Sequence, residues 1–217
     1  MKRGKILAAK AMVIGATGSV GAICSRLLAK AFEEVHLVSR NMAKLLMLKE
    51  SILAENPSVA LSASTRADTH LRHMDVVVAA SSGAAEVLDI MQLKTGCVVT
   101  DTNLPSVFTK EQTERRPDVL VVRSGAIQLP GEAVRMKDIG LPTGVVYPGL
   151  AETVILALEG RFEMFTVGSD PEWDKVREIY QLGIKHGMQL AGISGVDGVI
   201  SDEDILRVRA LAAKMNK

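Results

Sequence analysis

The chain has 217 residues, 47% of them hydrophobic, enough to bury one sizeable core within the usual span of a single domain. Its 26 basic and 25 acidic side chains leave a formal charge of +1, which excludes a broad field for nucleic acid or an anionic membrane, so any anion must be held locally. Aromatic residues make up 3%, too few for base-stacking platforms, and nucleic acid is not an expected partner.

Short β-branched runs alternate with segments of helical period. That alternation predicts a Rossmann-type, doubly wound α/β fold with a mostly parallel sheet and carboxyl-terminal helices. In chain order the expectations are strand 11–15, helix 18–31, strand 34–39, helix 41–55, strands 59–64 and 74–80, helix 84–92, and strands 97–100 and 119–123. Between residues 125 and 147, Pro130, Pro142 and four glycines predict an irregular connection facing the site. Helices are then expected at 149–158, 171–186 and 201–215, the last opened by Ser201 with Asp204 three residues on. The division expected is a dinucleotide-binding domain at 1–147 and a helical segment, 148–217, packing on it.

Cys24 and Cys97 lack the C-x-x-C spacing of zinc or redox sites, which suits a reducing compartment. The first apolar run stops at Gly15, too short for a membrane span, and no cleavage site follows a secretory apolar region. A cytoplasmic protein without membrane spans or metal sites is therefore expected.

The segment Val13-Ile14-Gly15-Ala16-Thr17-Gly18-Ser19-Val20-Gly21 joins an apolar strand to an apolar helix, the setting of a dinucleotide-binding turn. Gly15 permits the tight turn, Gly18 lets backbone approach a pyrophosphate, and Gly21 allows close helix packing. Thr17 and Ser19 add hydroxyls. The spacing is G-x-x-G-x-x-G, so the competing reading is an ordinary glycine-rich strand-to-helix turn. About twenty residues beyond the glycines, where an Asp or Glu would bind the ribose of NAD, the chain has Ser39-Arg40-Asn41 with Lys44 a turn later. Donors at that place favour the 2′-phosphate of NADP(H) over NAD(H). The competing reading makes Arg40 and Lys44 decoration on a solvated helix start. Ala79-Ala80-Ser81-Ser82-Gly83 offers small residues where a nicotinamide ribose can pass, and Asp101, Asn103 and Gly125 follow later strands at the same ligand-collecting edge.

Across most of its length the chain resembles the NADPH-binding, carboxyl-terminal part of the cyanobacterial long-chain acyl-acyl-carrier-protein reductases. The resemblance runs through Val13 to Gly18, Ser39-Arg40-Asn41, Cys97 to Asp101, the Ser124-Gly125 turn, Leu150-Ala151-Glu152 with Glu159-Gly160, and Lys185-His186-Gly187. It implies reduction of an acyl or small-molecule carbonyl by NADPH. Members of that family hold a nucleophilic cysteine two residues before the Ala-Glu pair, where this chain has Gly149. The family's amino-terminal acyl-site region also has no counterpart before Met1. Direct hydride transfer, and a homodimer or another domain or chain completing the substrate site, are therefore the expectations.

Tyr147 and Glu152 are the candidate donor and acid or base, each with a structural alternative: packing beside Pro148, and a carboxylate at a helix start. A Tyr-x-x-x-Lys pair is missing, since Ala151 follows Tyr147 at that spacing and Ile184 follows Tyr180. His70 and His73 read as solvated loop residues, and His186 as a helix-end charge. The leading expectation is an NADP(H)-dependent oxidoreductase; the alternatives are a noncatalytic dinucleotide-binding module and a partial acyl reductase.

Overall fold

The computed structural model describes residues 6–81, 83–84, 88–123, 125–131, 137–166 and 172–215. Its contacts divide the chain into two compact units, Met1–Ser124 with Ser194–Lys217, and Gly125–Ile193. The break expected at 147/148 falls inside the second.

In the first unit β1 (Ile6–Ile14), β2 (Phe32–Val38), β3 (Ala60–Ser64), β4 (Val76–Ala79), β5 (Val98–Asp101) and β6 (Leu120–Arg123) make a parallel sheet ordered β3-β2-β1-β4-β5-β6. This is the strand order of dinucleotide-binding sheets. Alternate strand residues load opposite faces. Met12, Ile14, Val77 and Val99 point into one core, and Ala11, Val13, Val35 and Leu37 into the other, which is why these strands read as continuous apolar runs. Helix α1 (Ser19–Ala31) and α2 (Met42–Glu55) cover the second face. Leu45 and Ile52 of α2 are buried, and burying each side chain stabilises by about 2 kcal/mol.

Register matters more to the site than core composition does. Ser64, Val38, Ile14, Ala79, Asp101 and Arg123 pair successively across the sheet. The residues just past them therefore emerge side by side at one edge.

Two expectations are corrected, and one element is added. Of the predicted helix 84–92, residues 85–87 lie outside the described residues, and Ile90–Gln92 is a single 3-10 turn capped by Asp89. A short helix α3 (Lys110–Glu114), not among the predicted elements, is held by Thr109 and Gln112 bonding reciprocally across its first turn and buries none of its residues. The predicted irregular stretch 125–147 contains β7 (Ile127–Gln128) and β8 (Val145–Val146), paired antiparallel.

The second unit continues with α4 (Pro148–Leu158), α5 (Trp173–Lys185) and β9 (Gln189–Leu190), which pairs with β7. Val146, Ala151, Ile155 and Met188 form its core. The chain then re-enters the first unit through β10 (Ser194–Gly195), antiparallel to β6, then β11 (Gly198–Val199) and α6 (Asp202–Met215). Among the described residues, no helix is long and apolar enough to cross a membrane.

Candidate functional site

In the 3-2-1-4 sheet order, the chain connections diverge between β1 and β4, and a crevice of about 260 Å³ opens at that switch point. Gly15, Thr17 and Gly18 form one wall, Ser39 and Arg40 the next, and Ala80 and Ser81 the third. The sequence names all seven. Gly83, the last of the small residues after β4, and Thr65 also line the crevice, and the sequence reading missed Thr65.

The glycine turn is shaped by contacts that only glycine allows. Gly15 has φ +84, and a Cβ there would lie 2.6 Å from the Ala80 carbonyl oxygen and from Ser81 Cβ. Its N–H and that of Ala16 donate to the Val38 carbonyl at 2.8 and 3.0 Å, tying the turn to β2. Gly21 packs on the turn from below, since a Cβ there would sit 2.0 Å from the Gly15 carbonyl oxygen. Gly18 caps α1, and its amide donates to the Gly15 carbonyl at 3.0 Å. Its N–H is therefore filled within the turn. The amides of Ser19, Val20 and Gly21 lie in the first helical turn, where no intrahelical acceptor exists.

At the end of β2, the Ser39 and Thr17 hydroxyls share a hydrogen bond of 2.5 Å. Arg40 is exposed in the crevice wall with no carboxylate partner among the described residues. No Asp or Glu lines the crevice among those residues. Asn41 caps α2, its Oδ1 accepting from the Lys44 amide at 3.0 Å, and Lys44 is exposed on α2 outside the crevice wall. These two are not brought to the crevice with Ser39 and Arg40.

Farther along the edge the Ala80 amide donates to the Ile14 carbonyl at 2.8 Å, and Ser82 lies outside the described residues. Asp101 is 1% exposed. Its carboxylate accepts from the Asn103 amide at 3.0 Å, Asn103 Nδ2 at 2.9 Å, the Ser106 hydroxyl at 2.6 Å and the Val107 amide at 2.7 Å. Asn103 Nδ2 also reaches the Ala79 carbonyl at 3.0 Å. Both side chains close their own loop, and neither lines the crevice.

Gly125, Tyr147 and Glu152 belong to the second unit. Tyr147 donates to the Ile139 carbonyl at 3.5 Å. Glu152 accepts from the Thr166 amide at 3.1 Å and from the Thr166 hydroxyl, at the rim of an apolar pocket of about 270 Å³ between α4 and α5. Burial pushes the Cys97 thiol up to about 12 and raises that of Cys24, so neither supplies a thiolate near neutral pH. Gly149 sits at the start of α4.

The histidines divide. His186 ends α5 and meets Glu159 at 2.5 Å. His70 is exposed, and its ring lies against that of His36, centroids 4.2 Å apart and planes tilted by 41°. His36, unremarked in the sequence, is buried. Its Nδ1 meets the Ser62 hydroxyl at 2.6 Å, while Nε2 has no partner among the described residues. Burial lowers its pKa to about 4, aided by His70 and opposed by Glu34. Among the described residues no group of three or more His, Cys, Asp or Glu side chains can hold a metal.

The sheet order, the covering helices and the crevice at the switch point define an α/β protein with a Rossmann-like fold. The family model for shikimate / quinate 5-dehydrogenase matches residues 1–106, the stretch that carries β1 to β5. The protein named Aminotransferase PigE from Serratia sp. is 28% identical over 207 residues. That match covers 91% of this chain but 23% of PigE, so the chain spans under a quarter of that relative's length. Among solved structures, a lactate dehydrogenase from Eimeria maxima with NADH and oxamate aligns over 100% of this chain and 94% of its own, at 12% identity and a TM-score of 0.49. An alcohol dehydrogenase from Pyrobaculum aerophilum aligns over 55% of this chain and 36% of its own, at 24% identity and a TM-score of 0.42.

Proposed function

We propose that the protein is an NADP(H)-dependent oxidoreductase acting on a carbonyl-type carbon by direct hydride transfer. One observation carries this reading: the crevice at the switch point joins a cradle that a Cβ at Gly15 would fill to a strand end bearing Ser39 and an unpaired Arg40, with no carboxylate lining it among the described residues. The cradle fits a dinucleotide. First-turn amides of α1 receive the pyrophosphate, and Ser39 and Arg40 receive the adenosine 2′-phosphate through charge-assisted bonds. Ala80 and Ser81 leave room for the nicotinamide ribose. When bound, a reduced nicotinamide supplies the hydride.

The raised thiol pKa values and Gly149 argue against a covalent acyl-enzyme, so an aldehyde, ketone or imine is the substrate class. The likeness to acyl reductases supports an acyl-derived carbonyl, with a second copy or another domain completing the substrate site in the cytoplasm. The same glycine, with a match covering 23% of PigE, favours the second reading, a dinucleotide-binding module that works beside another domain.

Equilibrium titration with NADPH and NADH tests the cofactor. Arg40→Ala should weaken NADPH by about 1.5 to 3 kcal/mol and leave NADH nearly unchanged. Unaltered NADPH affinity rejects the assignment. Oxidation of NADPH in the presence of aldehydes, ketones, imines or acyl thioesters then separates enzyme from module, because a module binds without turnover.

A further inference from the structure

We infer that Thr65 is a second selector of the adenosine 2′-phosphate, acting from the same β2–β3 side of the crevice as Arg40; the inference rests on the NADP(H) reading above. The register sets its place. Ser64 pairs with Val38 and Val38 with Ile14, so Thr65, Ser39 and Gly15 are the first residues beyond three adjacent strands. The Ser39 amide donates to the Ser64 carbonyl at 3.3 Å, which ties the β2 and β3 ends together.

Local bonding then presents residue 65 and removes its neighbour. The Ser64 hydroxyl accepts from the Arg66 amide at 2.9 Å and donates to the Arg66 carbonyl at 2.8 Å. Thr65 is held at the apex of that tight turn, exposed and lining the crevice. Its hydroxyl has no hydrogen-bond partner among the described residues. By charge alone Arg66 is the stronger phosphate ligand, but its guanidinium is forked onto Asp68 at 2.5 and 3.3 Å. Thr65, Ser39 and Arg40 thus form a run of donors along the outer, β2–β3 side of the crevice. A phosphate monoester on the ribose projects away from the pyrophosphate turn and needs donors of this kind.

The test pairs Thr65→Val with Thr65→Ser and measures dissociation constants for NADPH, NADH, 2′,5′-ADP and 5′-AMP on the full chain. Thr65→Val should weaken NADPH and 2′,5′-ADP about tenfold, the effect of one hydrogen bond to a charged group. NADH and 5′-AMP should be unchanged, and Thr65→Ser should restore the wild-type values. Equal loss for NADPH and NADH would make Thr65 an adenine or fold contact and overturn the inference, as would wild-type NADPH affinity in Thr65→Val. Failure of the wild-type chain to bind NADPH or 2′,5′-ADP would instead overturn the cofactor reading itself.

Discussion

One edge of the parallel sheet ends in two different ways. At β1, β2 and β3 the residues past the register row leave donors unfilled among the described residues: the first-turn amides of α1, Arg40 and Thr65. At β5 the same row closes on itself, because Asp101 takes bonds from Asn103, Ser106 and Val107. A place at the ligand-collecting edge is thus necessary but not sufficient for a ligand-binding role. What decides it is whether a group's hydrogen-bonding capacity is already filled inside the fold.

The largest expected effect breaks the closed end. Asp101→Ala removes the acceptor for buried donors and should cost about 3 kcal/mol or more of stability, seen as a lower urea midpoint, while the folded protein keeps its NADPH affinity. Intact stability with lost NADPH binding would erase the contrast between the two ends.

Next in size is His36, a buried polar group left incomplete on one face of the same sheet. Its folded pKa, lowered to about 4 from 6.5, means that the unfolded chain takes up the proton first. The stability it contributes is complete above pH 6.5 and is lost as pH falls toward 4, roughly 3 kcal/mol in all. Urea midpoints between pH 7 and 4.5 should show this acid loss in the wild type and a flatter profile in His36→Gln.

The smallest effect sharpens the open end. Thr17→Val deletes the bond to Ser39 and should weaken NADPH by about 1 kcal/mol, less than Arg40→Ala, with little change in thermal midpoint. A loss larger than that of Arg40→Ala would shift the selecting role from the cation to the hydroxyl pair.

The contrast also explains what the sequence could and could not reveal. The six parallel strands were legible because both their faces are buried, so apolar runs such as Val76–Ala79 need no alternation. The glycine turn was legible because its spacing follows from backbone contacts at Gly15 and Gly21. The place of Asp101 at the strand ends was legible, but the bonds that Asn103, Ser106 and Val107 donate to its carboxylate depend on loop contacts that no local pattern encodes. Thr65 was missed because its position depends on pairing between β3 and β2, which no local pattern encodes. The β10–β11 hairpin closes through Val196-Asp197, and the glycines Gly195 and Gly198 that flank this loop are its only local sign. Strands β7 and β8 were hidden by the glycines and prolines between them.

The pairing of Ser194 with Arg123 has a topological consequence. Residues 125–193 leave and return at neighbouring points, so they form an insertion held at its two ends by a single antiparallel bridge. A short hairpin turn between β6 and β10 can replace them with little loop-closure penalty. The parallel sheet is thereby a chassis into which other segments of this size can be spliced.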